Sequence, residues 1–437
     1  MIQNLLYEKN NYLTLLFWVA LGVFTGPLVY AAVPLHMIII KKKGEWLWLL
    51  LGFWLILTLS DSRQGMFSFA QSLKPIMLLI MAYLYITFPK EREEFKFVRP
   101  FIPFFIVAFL VIFNSPVQAS AFQRTISYLL LLIIIPGIIN LLLTYERERF
   151  LYHLLLTGVV ILGTGLALQI IMPGFVTFGG ERFSGLLGNP NAIGIFGFLF
   201  TALFTIINQY HSHLFSKKET IVIYSILAIS LIFAGSRGGI FSALLFVVGW
   251  FLLKHNAVIG FIALALIIIS YQAVSANVVN IIVSLGLEEY FRLETFETGS
   301  GRIAARDFGW QHIQQQYWWG KGFGYTEYLF SRNQGYFTQL GHQGNLHNSF
   351  LTIWLDMGLA GLVAFCFGWL VNFIKGIRIS PLLWALMFSL ILSASVESWM
   401  AASLNPFTIM LVIILSLMSN PRFYPEINQN QEEMQNQ

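Results

Sequence analysis

His347 and Asn348 stand together at the head of an apolar run, in the stretch LHNSFLTIWLDMGLAGL from Leu346 to Leu362. Histidine is the usual general base near neutral pH, so His347 is a candidate proton acceptor. The plainer reading is a hydrogen-bonded residue at the start of a helix. Gly358 and Gly361 follow at a spacing that lets helices approach closely. Asp356 needs a polar partner if it lies at membrane depth. Glu397, in SASVESWM, is a second acid near the end of an apolar run. It either orients His347, pairs with an arginine, or is structural.

Three arginine-bearing stretches accompany this pair. In GGERFSGLLGNPNAIG, Arg182 stands beside Glu181, Gly185 and Gly188 permit close backbone approach, and Asn189-Pro190-Asn191 is a turn able to start a helix. The free N–H groups at such a start favour an anion. An ordinary Gly/Pro turn with a snorkelling arginine is the plainer reading. In AGSRGG, Arg237 is flanked by small residues between two apolar runs, where a charge is costly without a partner. A phosphate suits it, because guanidinium binds phosphate bidentately and stays charged. A short hairpin with an interfacial arginine is the alternative. In ETGSGRIAARDFGWQHIQQQYWWGKGFGY, Ser300 is a candidate cap for a helix from about Gly301 to Tyr317. Arg302 and Arg306 then share one face. Ile303, Phe308, Trp310, Tyr317, Trp318 and Trp319 suit a lipid interface, and GKGFGY reads as a flexible turn. The arginines of such a helix also suit lipid phosphates.

The elements that must position these residues are apolar. Of 437 residues, 57% are hydrophobic and 11% charged, against about 25% charged in a soluble domain. Thirteen apolar runs fall at roughly 13–40, 45–60, 73–89, 99–113, 125–144, 152–172, 191–209, 219–235, 238–253, 257–275, 347–374, 380–398 and 405–419. This predicts an all-α polytopic membrane protein with 12 to 14 crossings. Gly26-Pro27 is expected to divide the first run, which is too long for a cleavable signal and is followed by Lys41, Lys42 and Lys43. The single cysteine, Cys366, excludes an internal disulfide framework. The basic residues are scattered between apolar runs, so membrane and not nucleic acid explains the positive charge.

One alternating set of loops holds 15 of the 26 basic residues, at Lys41 to Lys43, Lys90, Arg92, Lys96, Arg99, Arg147, Arg149, Lys217, Lys218, Lys254, Lys375, Arg378 and Arg422. The positive-inside rule makes that set cytoplasmic. The expected organisation is a helix bundle at 1–275, a large extracytoplasmic loop with short helices at 276–346, membrane helices at 347–419 and a disordered cytoplasmic tail at 420–437. All four candidate stretches then lie on the outer side. Nucleotide-activated donors are absent there, so an enzyme must use a donor already flipped across the membrane, such as a polyprenyl-diphosphate-linked sugar. The outer loop holds His312 and His342 but no cysteine, and its acids show no metal-ligand spacing. No metal or other cofactor is expected.

His347-Asn348, nine residues, Gly358, two residues and Gly361, taken with RFSGLLGNPN, GSRGG and SGR…W…GKGFG, resemble the O-antigen ligase/polymerase superfamily. The resemblance covers about Arg182 to Gly361. It implies a metal-independent glycosyltransferase of the bacterial inner membrane. Such an enzyme moves a glycan from undecaprenyl diphosphate to a hydroxyl on a glycan, lipid or protein acceptor. By position it assigns His347 as base and Arg182, Arg237 and Arg302 to the diphosphate, with Asn348, Arg306, Glu397, Gly358 and Gly361 in support. Guanidiniums without a metal suit the charge that builds on the departing phosphate oxygens. A transporter of a solute or lipid-linked oligosaccharide, and a non-catalytic envelope scaffold, are the competing readings. A transporter would place its charges near mid-membrane.

Overall fold

The computed structural model describes residues 8–60, 65–87, 96–179, 182–270, 283–284, 302–339 and 345–425. The predicted cap Ser300, together with Glu181, His342 and residues 426–437 of the expected tail, lies outside them. The described chain is almost wholly helical, with one two-stranded antiparallel hairpin that pairs Thr177 with Phe183 and Phe178 with Arg182. Among the described residues, each of the thirteen apolar runs falls on helix. Seven helical segments there, Lys9–Lys42 taken as one, are long and apolar enough to cross a membrane, and five shorter apolar helices accompany them. The protein is an all-α polytopic membrane protein.

The chain divides into two compact units, each built from separated stretches. The first comprises Met1–Phe97, Leu130–Ile240 and Leu404–Gln437. Gly26, at φ +57, breaks its first apolar run into helices Lys9–Thr25 and Val29–Lys42, as the Gly-Pro pair predicted. Helix Trp46–Ser60 is apolar all round and almost wholly buried, as such a helix must be. Trp54 stacks on Phe196 of helix Pro190–Tyr210 at 5.6 Å. Other helices, such as Lys217–Ala234, expose Ile221, Ile229, Ile232 and Phe233, a face that costs nothing in lipid. The polar tail does not leave this unit at once. Pro421–Phe423 form a 3-10 turn, and Phe423 and Tyr424 are buried against Tyr210.

The second unit comprises Val98–Leu129 and Phe241–Ser403. Phe104, Tyr128, Phe323 and Phe365 form its aromatic centre, and the Tyr128 hydroxyl donates to the Met400 carbonyl at 2.8 Å. The loop segment has a small core of its own, made by Ala305, Ile313, Tyr325, Leu329, Phe330, Phe337, Leu346 and Leu355. Its helices are Arg302–Gln315, Tyr325–Arg332 and Gln334–Gln339. The first is shorter than the expected 301–317. Its Phe308 packs on Phe330 and Phe337 inside that core, which corrects its placement on a lipid interface. Ile303, Trp310, Trp318 and Trp319 are exposed.

Candidate active site

The second unit gathers most of the predicted site. Helix Ser349–Ile379 begins just after His347 and Asn348, and Asn348 caps it by accepting from the Leu351 N–H at 3.0 Å. His347 has a left-handed backbone, φ 45, a conformation that costs a residue with a Cβ about 1–2 kcal/mol. The surroundings hold it there. Its N–H donates to Asn345 Oδ1 at 2.6 Å, and the same oxygen accepts from the Ser398 hydroxyl at 2.7 Å. The Asn348 N–H donates to Ser398 Oγ, and Asn348 Nδ2 to the Ser395 carbonyl. Ser349 Oγ donates to the Glu397 carbonyl at 2.7 Å. Strain maintained by so many bonds is typical of functional positions.

Glu397 follows helix Leu383–Val396 in extended backbone and turns its carboxylate to two partners. His347 Nδ1 lies 2.9 Å from Oε2, and Arg302 Nη2 donates to Oε1 at 3.2 Å. Side chains of His347 and Glu397 are 18% and 15% exposed, so the pair is screened from water without being sealed. Burial opposes ionisation of Glu397, but the bonds from His347 and Arg302 outweigh it and hold the carboxyl below its ordinary range. An ionised carboxylate only accepts, so His347 Nδ1 carries the proton and Nε2 is the basic atom. Arg306, one turn along from Arg302, donates to the Ser395 carbonyl at 3.1 Å and lies 3.4 Å from the His347 carbonyl. Glu397 thus contacts both His347 and an arginine.

Gly358 differs from the packing expectation. Gly358 is a break inside the helix, at φ 73. A Cβ there would lie 2.3 Å from the Trp318 carbonyl oxygen. The break exposes backbone that the loop fills: the Leu359 N–H donates to the Tyr317 carbonyl, and the Asp356 carbonyl accepts from the Gly322 N–H at 2.7 Å. Gly361 would meet its own helix's Met357 and then Val107 of helix Ile102–Ile112. Asp356 has the polar partners it required. Its carboxylate accepts from the Gly324 and Thr326 N–H groups at 3.0 and 2.7 Å and from Thr326 Oγ1 at 2.6 Å, at the start of helix Tyr325–Arg332. The GKGFGY turn is pinned by these bonds and is not the flexible link expected.

Arg182 and Arg237 belong to the first unit. Arg182 Nε and Nη2 donate to the Ala234 carbonyl at 3.0 and 2.8 Å, and Nη2 also reaches Gly235. The guanidinium therefore satisfies carbonyls at the C-terminus of helix Lys217–Ala234. Arg237 opens helix Arg237–His255. The glycine after it serves packing: a Cβ on Gly239 would lie 2.4 Å from Gly194 Cα. Asn189 caps helix Pro190–Tyr210 by accepting from the Asn191 N–H, as the NPN turn predicted. His312 bonds within its own helix.

Asn345, Ser395 and Ser398 were not singled out in the sequence. Their only signal is proximity to His347 and Glu397 in the chain. Among the described residues, one group has metal-ligand geometry, Glu148, His211 and His213, away in sequence from every predicted site residue.

A family model described as O-antigen ligase matches residues 222–366. No curated protein is similar enough to match. The matched segment holds Arg237, Arg302, Arg306, His347, Asn348, Gly358 and Gly361. It bears out the O-antigen ligase/polymerase superfamily on about a third of the chain and supports a ligase- or polymerase-type function in polysaccharide biosynthesis.

Proposed function

We propose that this protein transfers a glycan from an undecaprenyl-diphosphate carrier to an acceptor hydroxyl, without a metal, at the extracytoplasmic face of the bacterial cytoplasmic membrane. The acceptor is a glycan, lipid or protein. The observation that carries the reading is the chain of contacts from Arg302 through Glu397 to His347. It has the logic of a base oriented by a carboxylate. Glu397 fixes the tautomer, and Nε2 takes the proton of the acceptor hydroxyl. The freed oxygen attacks the anomeric carbon, and the bond to the diphosphate breaks with its electrons leaving on phosphate oxygen. A single displacement inverts the anomeric centre. Arg302 and Arg306 supply positive charge in the unit that holds the base, and the resemblance adds Arg182 and Arg237 to the diphosphate role.

His347→Ala is expected to abolish polymer transfer while membrane insertion and abundance stay at the wild-type level. Full activity in that variant sinks the base assignment. Lipid-linked glycans in a deletion strain separate the two reaction types. Accumulating single repeats indicate a polymerase, and long unattached chains a ligase.

A further inference from the structure

The first unit carries a cluster that the transfer reaction does not use. His211 ends helix Pro190–Tyr210, and His213 lies in the 3-10 turn Ser212–Leu214 that follows. Glu148, in the first turn of helix Arg147–Ile171, meets both. His213 Nε2 is 2.5 Å from Glu148 Oε2, and His211 Nδ1 is 3.9 Å from Oε1.

His211 is the informative member. Its residue is 1% exposed, and its Nε2 lies 2.7 Å from the Phe423 carbonyl oxygen. A carbonyl only accepts, so Nε2 carries the proton and Nδ1 presents a lone pair. That buried Nδ1 has no hydrogen-bond partner among the described residues.

We propose that Glu148, His211 and His213 form a binding site for a divalent transition-metal ion, with zinc preferred. The three ligand atoms lie within 4.8 Å of one another. Ligands about 2.0–2.2 Å from one tetrahedral ion stand about 3.3–3.6 Å apart. His213 and Glu148, with side chains 61% and 50% exposed, have the freedom to adjust to that spacing, parting from 2.5 Å and approaching His211. His211 is the fixed member, and the bond from its other nitrogen to a backbone carbonyl is the outer support that metal-bound histidines use. His213 binds through Nε2, the atom that faces Glu148. Water completes the coordination. Two imidazoles and one carboxylate favour zinc over magnesium or calcium, which prefer all-oxygen sites. A surface His–Glu ion pair explains His213 but leaves the buried Nδ1 of His211 unaccounted for. The ion braces helix Arg147–Ile171 against the turn after helix Pro190–Tyr210, and through His211 it braces the segment that ends at Tyr424.

The test is a Zn2+ titration of tag-free, full-length protein in detergent by calorimetry, paralleled by Co2+ monitored in visible absorption. Glu148→Gln and His213→Ala alter exposed side chains outside the proposed transfer site, and an unchanged melting temperature without metal verifies their folding. One equivalent of zinc is expected to bind, with cobalt absorption typical of a tetrahedral nitrogen–oxygen set. Loss of an outer support costs 10–100-fold in affinity, so either ligand variant is expected to lose at least about 100-fold. The melting temperature should rise with zinc in the wild type and stay fixed in His213→Ala. Binding weaker than about 1 mM, or equal binding in wild type and both variants, overturns the site.

Discussion

Glu397→Gln is the sharpest perturbation of the proposed reaction. Gln keeps the length and shape of the side chain but removes the charge that faces His347 at 2.9 Å and Arg302 at 3.2 Å. As the base takes a proton, His347 becomes a cation beside that carboxylate. Two unit charges about 4 Å apart attract by about 4 kcal/mol at an effective dielectric constant near 20. Arg302 already neutralises part of the carboxylate, which leaves about 2–3 kcal/mol for the imidazolium. At 1.36 kcal/mol per tenfold this is a rate loss of about 10^2. A Gln amide nitrogen turned to Nδ1 also favours the wrong tautomer, and the equivalent Asp→Asn change in a serine-protease triad costs about 10^4. The expected loss in kcat lies between these values, with KM little changed. The assay is initial-rate transfer in proteoliposomes, with a defined undecaprenyl-diphosphate donor and varied acceptor. Retention of more than a third of wild-type kcat, or a loss confined to KM, refutes the role given to Glu397.

Four further outcomes are expected. Arg237→Lys should be strongly impaired in transfer, because an ammonium cannot reproduce a bidentate grip; near-normal turnover counts against phosphate clamping. Gly358→Ala places a Cβ 2.3 Å from a backbone oxygen at φ +73, a cost of about 2–4 kcal/mol, read as a lower melting temperature. Gly163→Ala, with nothing within 4 Å, should be neutral or stabilising by about 0.5–1 kcal/mol. Glu397 also makes stability depend on acid: its carboxyl is depressed in the folded state, so its contribution is complete above the unfolded value of about 4.3 and is lost as pH falls through the lower folded value. Melting curves should therefore drop less on acidification in Glu397→Gln than in the wild type.

The helices were legible because lipid demands long apolar runs, and among the described residues all thirteen runs fall on helix. The break at Gly26 was legible too, since Gly-Pro interrupts helices for local reasons. Gly358 was not. Its neighbours read as continuous helix, and what breaks it is the carbonyl of Trp318, forty residues earlier. The same distance hid the partners of Asp356, which are backbone N–H groups carrying no signature in the sequence. For the site, residue types and spacing marked His347, Arg302, Arg306 and Glu397. They did not mark the contacts, because His347 and Glu397 meet only when two helix ends fold together. The Arg182 contacts are those of a capping side chain, which its turn did not signal.

The break at Gly358 also changes how the long helix is measured against a bilayer. Its 31 residues, if continuous, would extend about 46 Å at 1.5 Å per residue, well beyond the hydrocarbon thickness of about 30 Å. From Leu359 to Ile379 the helix reaches about 31 Å, a complete crossing by itself. The stretch Ser349–Met357 is then a separate half-helix about 13 Å long. In the proposed function it is the spacer that sets the distance between His347 and the crossing part of the helix.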